Sequence, residues 1–158
     1  MLARRALKVL ALGFALLSLQ ARSASQLPLT ITPAGASAQI PATLIKPEGD
    51  GPFPAVVMMH DCSGLGPRSS GAPLRWAGEL VEQGYVVLIP DSFTPRGFAD
   101  GVCITSSKQR GSVNGYARAA GAYGALAALR ALFYVDGKRV GIMGGSHGGW
   151  TTKEQCSM

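Results

Sequence analysis

Charge is scarce in this chain. Asp, Glu, Lys and Arg together make up 15% of its 158 residues, aromatic residues only 7% and hydrophobic residues 47%. That balance excludes intrinsic disorder, which needs low hydrophobicity and dense charge. The 21 Gly and 10 Pro are many for a helical bundle, yet they lack the every-third-residue period of collagen. No internal repeat or low-complexity tract occurs, and the length fits one domain better than two. Nucleotide-binding signatures are missing too. Trp150 stands where G-x-x-x-x-G-K-[ST] would require Lys, and G-x-G-x-x-G is not matched from Gly144 onward. Nor is there a long apolar run: the one beginning at Val9 holds about 11 residues, against the ~20 that span a bilayer.

The formal net charge of +6 is not a nucleic-acid-binding surface. Four of the 15 Lys and Arg residues are Arg4, Arg5, Lys8 and Arg22, and the other 11 nearly balance nine acidic residues. Arg4, Arg5 and Lys8 precede the run Val9 to Leu17, and small residues follow at Ala21, Ser23 and Ala24. A positive segment, a short apolar segment and a small-residue site predict a secretory signal peptide over residues 1–23. Cleavage after Ala21, Ser23 or Ala24 fits equally well. The expected product is a secreted or periplasmic domain over 24–158, with no stable membrane anchor after cleavage. Such a compartment lets disulfides persist.

From residue 27 onward strand-like and helix-like segments alternate. Leu27 to Thr32 and Ile40 to Lys46 read as an initial hairpin. Ala55 to Met59, Tyr85 to Ile89 and Val140 to Met143 are continuous apolar runs, as strands buried on both faces require. Leu74 to Gln83 predicts a helix stopped by Gly84. Val113 to Phe133 predicts a second, dense in Ala and Gly, with Leu126, Leu129, Leu132 and Phe133 on its apolar side. Asp136-Gly137 reads as the turn into the third strand, and residues 91–112 as a long surface loop. The order predicts an α/β fold with a mostly parallel sheet.

Gly144-Gly145-Ser146-His147-Gly148 matches G-x-S-x-G at the end of the third apolar strand. A strand that turns sharply into a helix holds its serine exposed and strained, and small residues at Gly144 and Gly148 let neighbouring backbone approach. Ser146 is therefore the candidate catalytic nucleophile. The run ending at Met59 leads into His60-Asp61-Cys62-Ser63-Gly64, a turn suited to the second half of an oxyanion hole. The backbone N–H groups of Cys62 and His147 are the expected oxyanion donors. On this reading the Cys62 thiol is not the nucleophile, and His147, adjacent to Ser146, cannot serve as its base. His60, taken alone, reads as a core histidine.

Pro54-Ala55-Val56-Val57 into His60-Asp61-Cys62-Ser63-Gly64, then Pro90-Asp91-Ser92-Phe93, then Val140 through Gly149 together resemble the dienelactone hydrolase family of α/β-hydrolases over about residues 40 to 152. The resemblance implies hydrolysis of small-molecule esters or lactones by a nucleophile, an acid and a histidine, with no metal or organic cofactor. Two departures stand out. The family's namesake enzymes use a cysteine nucleophile where this chain has Ser146, and Gly121 occupies a helix position where related sequences commonly place an acid.

The α/β-hydrolase triad runs Ser, then Asp or Glu, then His. After Ser146 only Glu154 is acidic, and no histidine follows His147. The chain thus reads as an incomplete α/β-hydrolase fold, truncated just after the nucleophile elbow. Without its triad acid and base it is expected to be inactive, and a non-catalytic secreted fragment or binding module is the alternative. The polar tail Thr151 to Met158 lacks the apolar face expected of a helix behind the elbow. A disulfide between Cys62 and Cys103 is expected, because both follow parallel strands at the same sheet edge; two unpaired thiols are the alternative. Cys156 is the expected leftover.

Overall fold

The computed structural model describes residues 24–104 and 109–155. The signal-peptide segment and Cys156 lie outside them. The elements are β1 (Ser25–Ile31), β2 (Ile40–Lys46), β3 (Phe53–Met59), α1 (Ala72–Glu82), β4 (Val86–Pro90), α2 (Gly115–Arg130), β5 (Val135–Gly144) and α3 (His147–Gln155), with single 3-10 turns at Thr94–Arg96 and Gln109–Val113.

One five-stranded sheet runs in the order β1-β2-β4-β3-β5. It is mixed: β1–β2 and β2–β4 pair antiparallel, β4–β3 and β3–β5 parallel. The parallel part is therefore β4-β3-β5, the part that carries the candidate site, and the hairpin extends it on the β4 side. Two cores explain the apolar runs of β3 and β4, whereas Val140 to Met143, expected to be buried on both faces, lies in the edge strand β5 and is only half-buried or exposed. Val86 and Leu88 of β4 join Ala55, Val57, Met59 and the α2 residues Ala122, Ala125 and Leu129. Val87 and Ile89 join Met58 and the α1 residues Ala77 and Val81 on the other side. Alternate side chains of one strand feed opposite cores, so every β4 residue must be apolar, and every one is buried.

Helix α2 begins at Asn114, whose side chain accepts a hydrogen bond from Ala117 N at 2.8 Å, a cap usually worth about 1 kcal/mol. Its small residues permit close packing. A Cβ on Gly124 would lie 2.1 Å from Thr32 O, against backbone that cannot swing away. Gly124→Ala is expected to destabilise the fold by about 3 kcal/mol, the upper range for overpacking. A denaturant midpoint within error of wild type would refute the packing argument.

Three other sequence expectations change. Phe133 is 91% exposed, because α2 ends at Arg130 and the chain has left the helix's apolar face. β5 starts at Val135, not Val140: Phe53 pairs with Val135 and Ala55 with Val140, so Asp136 to Arg139 bulge out of register. Asp136 still makes the local turn contacts, accepting from Lys138 N at 3.0 Å and from Arg139 Nε at 2.7 Å. The segment 91–112 is not merely surface, since Phe93, Val102 and Val113 form a small buried core of their own.

Candidate active site

The carboxyl ends of β3, β4 and β5 meet at one edge and deliver the turns His60–Ser63, Asp91–Phe93 and Gly144–Gly148. At the last of these the backbone is strained. Ser146 has φ 52°, the only non-glycine residue with positive φ among those described, a conformation costing about 1–2 kcal/mol for an L-residue. Gly148 N donates to Gly145 O at 2.9 Å and Trp150 N to Ser146 O at 3.0 Å, so α3 starts directly at the turn. Glycine is required on both sides of the serine. A Cβ on Gly148 would lie 2.1 Å from Met59 O, and one on Gly144 would lie 2.6 Å from Gly148 C. The elbow is thus pressed against the end of β3.

Cys62, Cys103, Asn114, Ser146, His147 and Trp150 line a cavity of about 590 Å³. The structure therefore brings Ser146 together with both residues whose N–H groups were expected to serve an oxyanion. Cys62 and Cys103 are joined by a disulfide. Beside it Val102 N donates to Cys62 O at 2.6 Å, and a Cβ on Gly101 would meet Cys62 O and Ser63 C at 2.6 Å. The 101–103 segment lies directly on the turn. Asp61 shapes that turn from within: its carboxylate accepts from Ser63 N at 2.8 Å and Ser70 Oγ at 2.7 Å. Burial alone would raise the Asp61 carboxyl, but the hydrogen bonds from Ser63 and Ser70 outweigh it and hold the group below its ordinary range.

His60 is fully buried, as a core histidine would be. Its Nδ1 lies 2.9 Å from Asp61 O and its Nε2 3.1 Å from Ser92 Oγ. Burial, reinforced by the charge of Arg118, pushes it down to about 4. Its ring meets Phe93 edge-on at 4.4 Å, and Phe93 meets His147 the same way at 5.4 Å.

Arg118 escapes a reading of the sequence. It is fully buried in α2, and it donates from Nε to Ser92 Oγ at 2.7 Å and from Nη2 to His60 O at 2.8 Å. Nη1 lies 2.6 Å from His147 Nδ1. The guanidinium also stacks over Phe93 at 4.7 Å. Burial, with the charge of Arg96 adding to it, lowers Arg118 to about 9, so it remains a cation at neutral pH. The available signal was its isolation, as the lone charge in an Ala- and Gly-rich helix before Arg130.

Helix α3 forms despite its polar sequence by packing on α2: Thr151 is fully buried, and the Trp150 ring lies 2.9 Å from a Cβ placed on Gly115. Thr151 Oγ1 donates to His147 O at 3.1 Å, Thr152 Oγ1 to Gly148 O at 3.0 Å, and Trp150 Nε1 to Glu154 Oε1 at 2.9 Å. Glu154 thus pairs with Trp150 of its own helix and with Tyr116 of α2, and not with Ser146. Among the described residues no group of three or more His, Cys, Asp or Glu is placed to hold a metal ion, and no helix is long and apolar enough to cross a membrane.

A parallel sheet whose strand runs through a strained serine into a helix, with a facing turn from an earlier strand, defines the α/β-hydrolase class. The family model of the dienelactone hydrolase family matches residues 40–156. The chain belongs to that family. Among solved structures it is similar to a dienelactone hydrolase-like promiscuous phosphotriesterase, P91, from metagenomic libraries (25% identity, TM-score 0.61, 82% of this chain and 53% of that one). It is also similar to m3DLH (27%, 0.59, 84% and 53%) and to Porphyromonas gingivalis dipeptidyl peptidase 4 (27%, 0.57, 82% and 18%). The chain thus spans about half the length of the two dienelactone hydrolase-like structures, 53% of each. No curated protein matches it.

Proposed function

We propose that this chain is the nucleophile-bearing part of a secreted or periplasmic serine hydrolase acting on small-molecule esters or lactones. The observation that carries the reading is the positive φ of Ser146 at a strand-to-helix turn, over a cavity shared with Cys62 and His147. Strain of that kind persists only where the surroundings enforce it, and it concentrates at sites of chemistry. Ser146 is the nucleophile, and the N–H groups of Cys62 and His147 stabilise the oxyanion that forms when it attacks. The reading is supported by family membership and by a disulfide at the cavity, which suits an oxidising compartment. Export through residues 1–23 belongs to the same proposal.

Among the described residues no histidine is placed to serve Ser146 as general base. The two histidines are His60, engaged with Ser92 and Asp61, and His147, adjacent in sequence and engaged with Arg118. An oxyanion hole without base and acid leaves only residual catalysis. The oxidised chain is therefore expected to be phosphonylated slowly by a fluorophosphonate, at Ser146 alone, and to turn over simple esters no faster than Ser146→Ala. Peptide mapping locates the adduct. Folded protein that stays unlabelled would favour a non-catalytic binding module, and Ser146-dependent turnover at ordinary esterase rates would show that another group of the chain serves as the base.

A further inference from the structure

Arg118 carries a buried charge with no carboxylate in ion-pair contact among the described residues. Asp61 and Asp91 influence it only through their fields. Burying a cation without a paired anion is costly, and a neutral side chain would fill the same space more cheaply. What the cation does instead is bridge the turns of the site. Nη2 holds His60 O, two residues before Cys62, and Nη1 holds the ring of His147, next to Ser146.

We propose that Arg118 is the positioning residue of this site, clamping the two oxyanion turns together and fixing the chain's two histidines in opposite tautomers. The tautomers follow from hydrogen-bond inventory. A guanidinium only donates, so His147 Nδ1 accepts from Arg118 and the ring proton sits on Nε2. On the other branch, Arg118 Nε donates to Ser92 Oγ; the Asp61 carbonyl facing His60 Nδ1 can only accept, so the neutral ring leaves Nε2 to receive the Ser92 hydroxyl at 3.1 Å. His60 Nε2 is then an acceptor, and its proton sits on Nδ1, donated to Asp61 O at 2.9 Å. Asp61 O belongs to the peptide whose nitrogen is the Cys62 donor. One side chain thereby orients the peptide before one oxyanion donor and the residue that supplies the other. Phe93, fully buried, is in edge contact with both rings and lies beneath the guanidinium.

The tautomer assignment stands on the hydrogen bonds alone, whereas the catalytic consequence rests on Ser146 being the nucleophile. Two measurements on the full oxidised chain keep these apart. The first is a long-range nitrogen–proton spectrum of histidine-labelled wild type, with His60→Gln assigning the two rings. The expected pattern is one ring protonated on Nδ1 (His60) and the other on Nε2 (His147). A His147 proton on Nδ1, or the same tautomer in both rings, overturns the proposal without any variant.

The second is the fluorophosphonate reaction at Ser146 in Arg118→Gln and Arg118→Lys, measured below each melting point with the disulfide verified. Both variants are expected to react at least tenfold more slowly, and His147 is expected to lose its single-tautomer signature. Lysine keeps the charge but not the fork, so Arg118→Lys reacting at the wild-type rate would mean that charge, and not positioning, is what matters, and would overturn the clamp. If wild-type Ser146 does not react at all, the hydrolase reading fails, and the tautomer spectrum alone decides the role of Arg118.

Discussion

Replacing both Cys62 and Cys103 by alanine is expected to lower the unfolding free energy by roughly 4 kcal/mol, the loop-entropy value for a closed loop of about 41 residues, and to slow phosphonylation of Ser146. The bridge spans a sequence separation of 41 and encloses α1, β4 and the turn after β4. Opening it enlarges the unfolded ensemble and releases the 101–103 segment from the turn that holds the Cys62 N–H. Among the described residues, that segment is otherwise tied by the backbone bond from Val102 N to Cys62 O and by a small local core of Phe93, Val102 and Val113 with Cys62 and Phe98 against it. Urea unfolding of the oxidised wild type, the reduced wild type and the double variant checks the magnitude. The reduced protein should match the variant, and a loss under about 1 kcal/mol in both would mean that the native state is strained by the bridge about as much as the unfolded state is restrained by it.

Sheet and elbow were legible because their signals are local. The β4 run is apolar at every position since alternate residues enter different cores, and G-x-S-x-G ends a strand because no other residue types tolerate the approach of Met59 O to Gly148. Boundaries were less legible. The bulge at Asp136 to Arg139 preserves strand pairing on both sides of a turn-like sequence, so the start of β5 is a property of its register with β3. The tail misled in the other direction: the buried side of α3 is Thr151 and Glu154, whose polar atoms pair with His147 O and Trp150 Nε1, so hydrophobic periodicity does not reveal it. Arg118 was nearly invisible for a tertiary reason. Its three partners are 26, 29 and 58 residues away in sequence, and within α2 only its isolation among Ala and Gly points to burial.

Between neutral pH and pH 4 the folded protein is expected to lose about 3 kcal/mol of stability through His60 alone. Burial, then the charge of Arg118, lowers this histidine from 6.5 to about 4, while the nearby carboxylates of Asp91 and Asp61 oppose the shift without reversing it. The unfolded chain therefore binds the proton first. Stability rises with pH wherever the unfolded state holds more protons, so the contribution is complete above 6.5 and is lost as pH falls toward the folded value near 4. At about 1.4 kcal/mol per pH unit the whole interval is worth roughly 3.5 kcal/mol, of which about 3 is lost by pH 4, where the folded ring is half protonated. Asp61 acts in the same direction but lower down, since its depressed carboxyl costs stability only as pH falls below the ordinary 3.8. The two contributions separate by window. Thermal or urea unfolding from pH 7.5 to 4.2 should show a steep decline in wild type and a flatter one in His60→Gln, whose stability at neutral pH is lower because Ser92 Oγ loses its acceptor. A wild-type profile that stays level to pH 4.5 would mean that the buried ring accepts its proton as readily as an exposed one, and that Arg118 does not hold it neutral.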